Sequence, residues 1–206
     1  MLITKTPAVV YAESTPNPTT MKFVVNRLLV DNDITVEYNE PSQAKASPLA
    51  QKLFSFPFVK GLFITSNFIS VTKNDLVGWD SVTLELREFI QNYLFEGNPV
   101  FTTKPEAKQQ EESGENTHND FNANHAAATT DIDQRIIDLL EEYIRPAVEQ
   151  DGGAIFFQSF KEGVVTLSLK GACSGCPSST FTLKAGIEGL LKRMIPEVTE
   201  VVAEAC

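Results

Sequence analysis

Soft-metal ligands are scarce in this chain: 206 residues contain three cysteines and two histidines. Three cysteines, two of them three positions apart, do not make the disulfide framework of a small secreted domain, so the expected setting is a reduced, cytoplasmic one. Runs of Lys and Arg are missing and the formal net charge is −10. That argues against nucleic acid as a partner, because phosphate contacts need clustered cations. The acidity suits solubility or docking onto basic protein surfaces. No apolar stretch approaches the ~18 residues that cross a membrane. Met1-Leu2-Ile3-Thr4-Lys5-Thr6-Pro7 has neither a signal-peptide layout nor the Arg-rich look of a transit peptide. A Ser-His-Asp triad is not expected, since both histidines fall in a polar stretch. Phosphate-cradling glycine loops are missing too, because Asp151-Gly152-Gly153 ends a helix instead of opening one. Trp79 is the single tryptophan and reads as core, and no aromatic stripe offers a platform for bases.

What is present is enough apolar residue, 42%, for two small cores in a chain of this length. Residues 104–130 are polar and acidic, with Phe121 as the one aromatic. Such a stretch buries too little to offset the entropy of ordering, and reads as a flexible acidic linker. It separates a domain over 1–103 from a domain over 131–206, each with a net negative charge of its own.

The spacing predicts an α+β fold for both. In the first domain, extended runs at Val9–Ser14, Met21–Val25 and Ile34–Tyr38 precede a helix started by Ser47-Pro48, a cap residue followed by proline. Val59–Thr65 and Phe68–Lys73 form a hairpin around Ser66-Asn67. Val82, Leu86, Phe89, Ile90, Tyr93 and Leu94 recur at helical spacing and place a helix over Trp79–Phe95. The second domain reads α-β-β-α-β. One amphipathic helix runs from the Thr129-Thr130 cap to Asp151, strands follow at Ala154–Phe160 and Val164–Leu169, a helix spans Ser178–Ile195, and a strand closes at Val198–Val202.

The chemistry concentrates in Gly171-Ala172-Cys173-Ser174-Gly175-Cys176-Pro177, between a strand and a helix. Pro177 fits the first helical position. That puts Cys176 near the N-cap, where unpaired N–H groups and the helix dipole favour a thiolate. Gly171 and Gly175 let the backbone curl so that both sulfurs face one point. The pair therefore reads as exposed and reactive. Its blander reading is a glycine-rich turn whose cysteines fill space. Three functional readings compete. A thiol–disulfide oxidoreductase would use the pair alone, although there the proline usually stands between the cysteines. A structural zinc site and an iron–sulfur cluster both need four ligands, and one chain supplies two, so a second copy would complete either.

Ile144-Arg145-Pro146-Ala147-Val148-Glu149-Gln150-Asp151-Gly152-Gly153, the cysteine run with Leu169-Lys170 before it and Ser178-Ser179-Thr180 after it, and Leu183-Lys184-Ala185-Gly186-Ile187-Glu188 resemble the C-terminal NifU domain of Nfu-type iron–sulfur proteins. Thr15-Pro16-Asn17-Pro18, Met21-Lys22-Phe23, Ser47-Pro48-Leu49-Ala50 and Val59-Lys60-Gly61-Leu62-Phe63-Ile64-Thr65 are similar to the Nfu N-terminal module. The resemblance implies a non-enzymatic scaffold and carrier. It implies a homodimer that holds an iron–sulfur cluster, commonly [4Fe–4S], between paired CxxC motifs, with Cys173 and Cys176 as the ligands. The partners it implies are an upstream assembly scaffold and apo iron–sulfur client proteins. The long linker and Cys206 stand outside the family pattern and inherit no role.

Arg145 and Asp151 read first as helix termination, and second as part of a dimer surface near the cluster. His118 and His125 read as solvated linker residues, and Cys206 as a terminal thiol. The first domain, without soft ligands, is expected to recognise partners while moving independently on its tether.

Overall fold

A computed structural model describes residues 7–31, 34–103, 125–174 and 177–205. The first domain is one antiparallel sheet with strands β1 (Val10–Ser14), β2 (Thr20–Val25), β3 (Thr35–Tyr38), β4 (Val59–Thr65) and β5 (Phe68–Lys73), in the order β1-β2-β5-β4-β3. Helix α1 (Pro48–Leu53) starts as its sequence requires: Ser47 Oγ accepts from the Ala50 N–H and proline takes the first turn. Helix α2 (Trp79–Phe95) buries Val82, Leu86, Ile90, Tyr93 and Leu94. These meet Met21, Phe23 and Val25 of β2, Leu62 and Ile64 of β4, and Ile69 and Val71 of β5 in the main core. Alternation along a strand sends every second side chain to the opposite face.

That opposite face is also covered, which the strand pattern did not foretell. Antiparallel register aligns Glu13, Lys22, Ser70, Phe63 and Glu37 in one cross-strand row over all five strands. Lys22, Ser70, Phe63 and Glu37 of this row are buried. What covers them is the second domain.

In that domain α3 (Asp131–Leu139) begins at Thr130, whose Oγ1 accepts from the Asp133 N–H while the Asp133 carboxylate accepts from the Thr129 and Thr130 N–H groups. The reciprocal cap satisfies donors that a helix start leaves open. The single helix expected over 131–150 is broken. A π-helical turn at Leu140–Ile144 separates α3 from α4 (Arg145–Gln150), with Pro146 in the first turn of α4. Proline lacks the N–H for the regular ladder and clashes with the preceding turn, and a π bulge absorbs the mismatch.

Strands β6 (Gly153–Lys161) and β7 (Val164–Gly171) form a hairpin closed by Glu162 and Gly163, both at positive φ, as a two-residue turn between twisted strands requires. Helix α5 (Pro177–Met194) crosses over to β8 (Glu200–Ala205), which pairs parallel to β7. Thus β8 lies a few residues later than the expected Val198–Val202, because Val198 is spent in the core of the turn before it. Ile136, Leu140, Val148, Ile155, Phe157, Leu167, Leu169, Ile187 and Leu191 build the core beneath this sheet. The α+β class and the α-β-β-α-β order hold, with the first helix in three pieces.

The two sheets meet through Phe63 and Phe68 of the first domain and Ala154 and Phe156 of the second, with Val24 packed against them. Phe63, Phe68 and Phe156 are each at most 3% exposed. Burying such rings contributes about 1.5–3 kcal/mol apiece, enough to hold a docked pair against the loss of domain freedom. The expectation of an independently moving first domain is corrected in this structure, while residues 104–124 of the expected linker lie outside those described.

Candidate functional site

The cysteine turn grows out of the open end of the β6–β7 hairpin, where Gly153 pairs with Gly171. Gly171 has φ +68, and Gly152 has φ +83, a left-handed backbone that favours glycine. The chain then turns tightly: the Ser174 N–H and Ser174 hydroxyl both donate to the Gly171 carbonyl, and the Ala172 N–H donates to the Gly152 carbonyl. Gly153 makes the space for Cys173. A β-carbon there would stand 2.7 Å from Cys173 Sγ and 2.6 Å from the Lys170 carbonyl oxygen. Sequence reasoning read Gly152-Gly153 as a helix stop only; its further duty is to admit the sulfur.

Cys173 is not the exposed thiol expected. It is 6% exposed and belongs to the core of the second domain. Burial pushes its pKa up to about 12, and the nearby Asp151 carboxylate adds to the rise. The side chain is therefore a protonated thiol in this conformation, and ligation of a metal requires the turn to release it. Cys176 lies outside the described residues, as do Cys206 and His118. Helix α5 begins at Pro177 and β7 ends at Gly171, so Cys173 lies between a strand and a helix.

Asp151 stands near Cys173, and both it and Arg145 have partners within their own helical segment. Asp151 caps α4, its N–H donating to the Ala147 carbonyl. Arg145 forms an ion pair with Glu141 one helical turn earlier.

Four contacts reach the turn and its approaches from the first domain. Asn17 Nδ2 donates to the Ala172 carbonyl at 3.1 Å, and the Gly171 N–H donates to Glu37 Oε1 at 3.0 Å. Ser70 Oγ donates to the Gly152 carbonyl at 2.6 Å, and Lys22 Nζ donates to the Gln150 carbonyl at 3.3 Å. All four engage backbone groups of the second domain. Lys22 is held in turn by Glu13 at 3.2 Å. Asn17 and Lys22 fall in runs that carry the family resemblance, but no local signal pointed to these contacts, since the partners lie at least 82 positions away.

His125 is the second correction. Instead of being solvated, its Nδ1 accepts the Phe157 N–H at 2.7 Å, its Nε2 pairs with Glu141, and its ring stands edge-on to Phe156. An accepting Nδ1 requires the neutral ring. Burial lowers the His125 pKa, against the opposing pull of Glu141. Because the folded form disfavours the proton, stability falls as pH drops through the ordinary histidine value of ~6.5 and levels off below the folded pKa. We expect the protection factor of the Phe157 amide, its exchange rate corrected for the slower intrinsic exchange in acid, to be lower at about pH 5 than at about pH 7, and His125→Ala to cost about 1–2 kcal/mol at neutral pH. Chemical denaturation at both pH values checks this. A pH effect as large in the variant as in the parent would assign it elsewhere.

Among the described residues no group of three or more His, Cys, Asp or Glu side chains converges as a metal site. Comparison with known proteins finds two family matches along the chain. Residues 10–97 match the family "Scaffold protein Nfu/NifU N terminal", and residues 136–202 match the "NifU-like domain". A human protein named "NFU1 iron-sulfur cluster scaffold homolog, mitochondrial" is 34% identical over 197 residues, covering 93% of this chain and 70% of the relative. "NifU-like protein 4, mitochondrial" from Arabidopsis thaliana is 34% identical, covering 95% of this chain and 65% of its own length. A Drosophila sechellia relative with the same printed name as the human one is 32% identical and is covered over 63% of its length. The chain thus spans about two thirds of these relatives. With both domains matched in order and the human relative aligned over most of each partner, the chain belongs to the Nfu family of NifU-like scaffold proteins.

Proposed function

We propose that this protein is an iron–sulfur cluster scaffold and carrier whose cargo is bridged between two copies of the chain. Cys173 and Cys176 of each copy supply the four thiolates, and the cluster is then passed to apo-proteins. The observation that carries this reading is half a site: one CxxC turn at a strand-to-helix junction, with no third metal-ligating side chain converging on it among the described residues. Four thiolates suit a [4Fe–4S] and a [2Fe–2S] cargo alike, and the family resemblance favours the former. A cluster shared between two chains is lost when they part, which suits transfer better than permanent storage. A thiol–disulfide oxidoreductase would need an accessible, acidified nucleophile, and the buried Cys173 with its raised pKa weighs against that role.

Anaerobic reconstitution should give a brown protein with one cluster per two chains and a doubled mass in solution. Cys173→Ala combined with Cys176→Ala should abolish binding, while Cys206→Ala leaves it intact. A full cluster held by a demonstrable monomer would sink the bridging model. Tight colourless metal with unfolding on its removal would favour a zinc-bridged dimer instead.

A further inference from the structure

We infer that the first domain is a clamp on the cysteine turn, so that docking of the two domains and loading of a cluster compete. This rests on the carrier reading for its consequence, though not for its geometry. Cys173 Sγ is turned inward, against Gly153 and the core of the second domain. To bind cargo shared with another chain, the turn over Gly171–Ser174 must rearrange and bring that sulfur out. Two peptide groups in this turn are held by side chains of the first domain: the Gly171 N–H by Glu37 and the Ala172 carbonyl by Asn17. Both holders are themselves buried, Asn17 at 4% and Glu37 at 9% exposure.

The clamp also has a lid. The Phe63 ring lies over Gly171, so close that a β-carbon on Gly171 would stand 3.0 Å from it. Phe63 is the residue directly opposite Glu37 across the β3–β4 ladder, so the aromatic lid and the carboxylate move as one piece. Asn17 is fixed to the same sheet through its own turn, its Oδ1 accepting from the Thr19 N–H and hydroxyl. The turn cannot swing outward on this side while the sheet is seated. A second copy, whose cysteines complete the site, must approach a turn that the first domain flanks. Undocking therefore lowers the cost of exposing Cys173, and by thermodynamic reciprocity a bound cluster loosens the docking.

Two variants test this from the first domain alone, leaving the second untouched. Asn17→Asp keeps the acceptor for Thr19 and removes the donor to Ala172; it is combined with Glu37→Thr. Phe63→Ala removes the lid independently, in case the polar pair fails to fold. The readout is the rate at which iodoacetamide labels Cys173 in the reduced, cluster-free full chain, resolved by mass spectrometry. The same protein is followed by amide exchange at Gly171. A rise in labelling of about tenfold or more in either folded variant is the expected result. In the parent, faster exchange at Gly171 after anaerobic cluster loading is the expected reciprocal effect. Unchanged or slower labelling, in a folded variant whose domains tumble separately, would overturn the clamp, as would full Gly171 protection in the loaded parent. Failure of every variant and the parent to take up iron would sink the carrier reading, while the labelling rates still decide the clamp.

Discussion

Gly153→Ala should destabilise the second domain by about 2–3 kcal/mol, seen as a fall in its melting temperature on the order of 10–15 °C. The added methyl would meet Cys173 Sγ at 2.7 Å and the Lys170 carbonyl oxygen at 2.6 Å. The sulfur could rotate away, but the carbonyl cannot, because Lys170 is locked opposite Ala154 in the β6–β7 ladder. The strand must therefore shift and take part of the core with it. Gly186→Ala is the matched control. It lies within α5 with nothing within 4 Å of an added β-carbon, so it should stabilise slightly, by up to about 1 kcal/mol, through helix propensity. Calorimetry on both variants separates collision from any general intolerance of glycine replacement. Gly153→Ala melting within a degree of the parent would show that the hairpin end yields freely.

Adjacent residues of β6 should give opposite failures when replaced by aspartate. Phe157 is 1% exposed and points into the core of the second domain, whereas Phe156 is 2% exposed and points into the cluster shared with the first. A carboxylate at either place is deprived of water and partners, which costs several kcal/mol or forces it to take a proton. At Phe157 the charge finds water only if the domain opens, so Phe157→Asp should unfold it. At Phe156 the charge finds water as soon as the sheets part. Phe156→Asp should leave both domains folded but separately melting, with a larger radius of gyration by small-angle scattering. A single cooperative transition in Phe156→Asp would mean that the interface contributes little to holding the halves together.

The contrast between those two phenylalanines shows where the sequence was legible. Hairpins, caps and the α5 start followed from local chemistry: Ser47-Pro48, Thr130 and Glu162-Gly163 each act within a few residues. The cysteine turn was readable for the same reason. Ile155, Phe156 and Phe157 form a continuous apolar run, and such a run says that both faces are buried without saying against what. Lys22, Glu37 and Ser70 carry no local signal of a second packed layer. Their burial depends on partners 128, 134 and 82 positions away, which no periodicity encodes. Cys173 was misjudged because its polar neighbours suggested water, while Gly153, distant by the length of a hairpin, supplies the niche. His125 was misjudged on composition, since a single histidine can find a backbone donor inside an otherwise polar stretch.

Lys22, Ser70 and Glu37 of the cross-strand row grip peptide groups of the second domain, so these three set few terms on the side chains they meet. Among the gripped peptide groups, side-chain identity matters at Gly152 and Gly171, where a β-carbon would strike Ser70 Oγ at 2.9 Å or the Phe63 ring at 3.0 Å. Two halves joined this way can drift apart in sequence without losing their fit. Chimeras that exchange one half between distant relatives should therefore assemble as their parents do, as long as those two glycines travel with the cysteine turn and the apolar contact at Ala154 and Phe156 is kept.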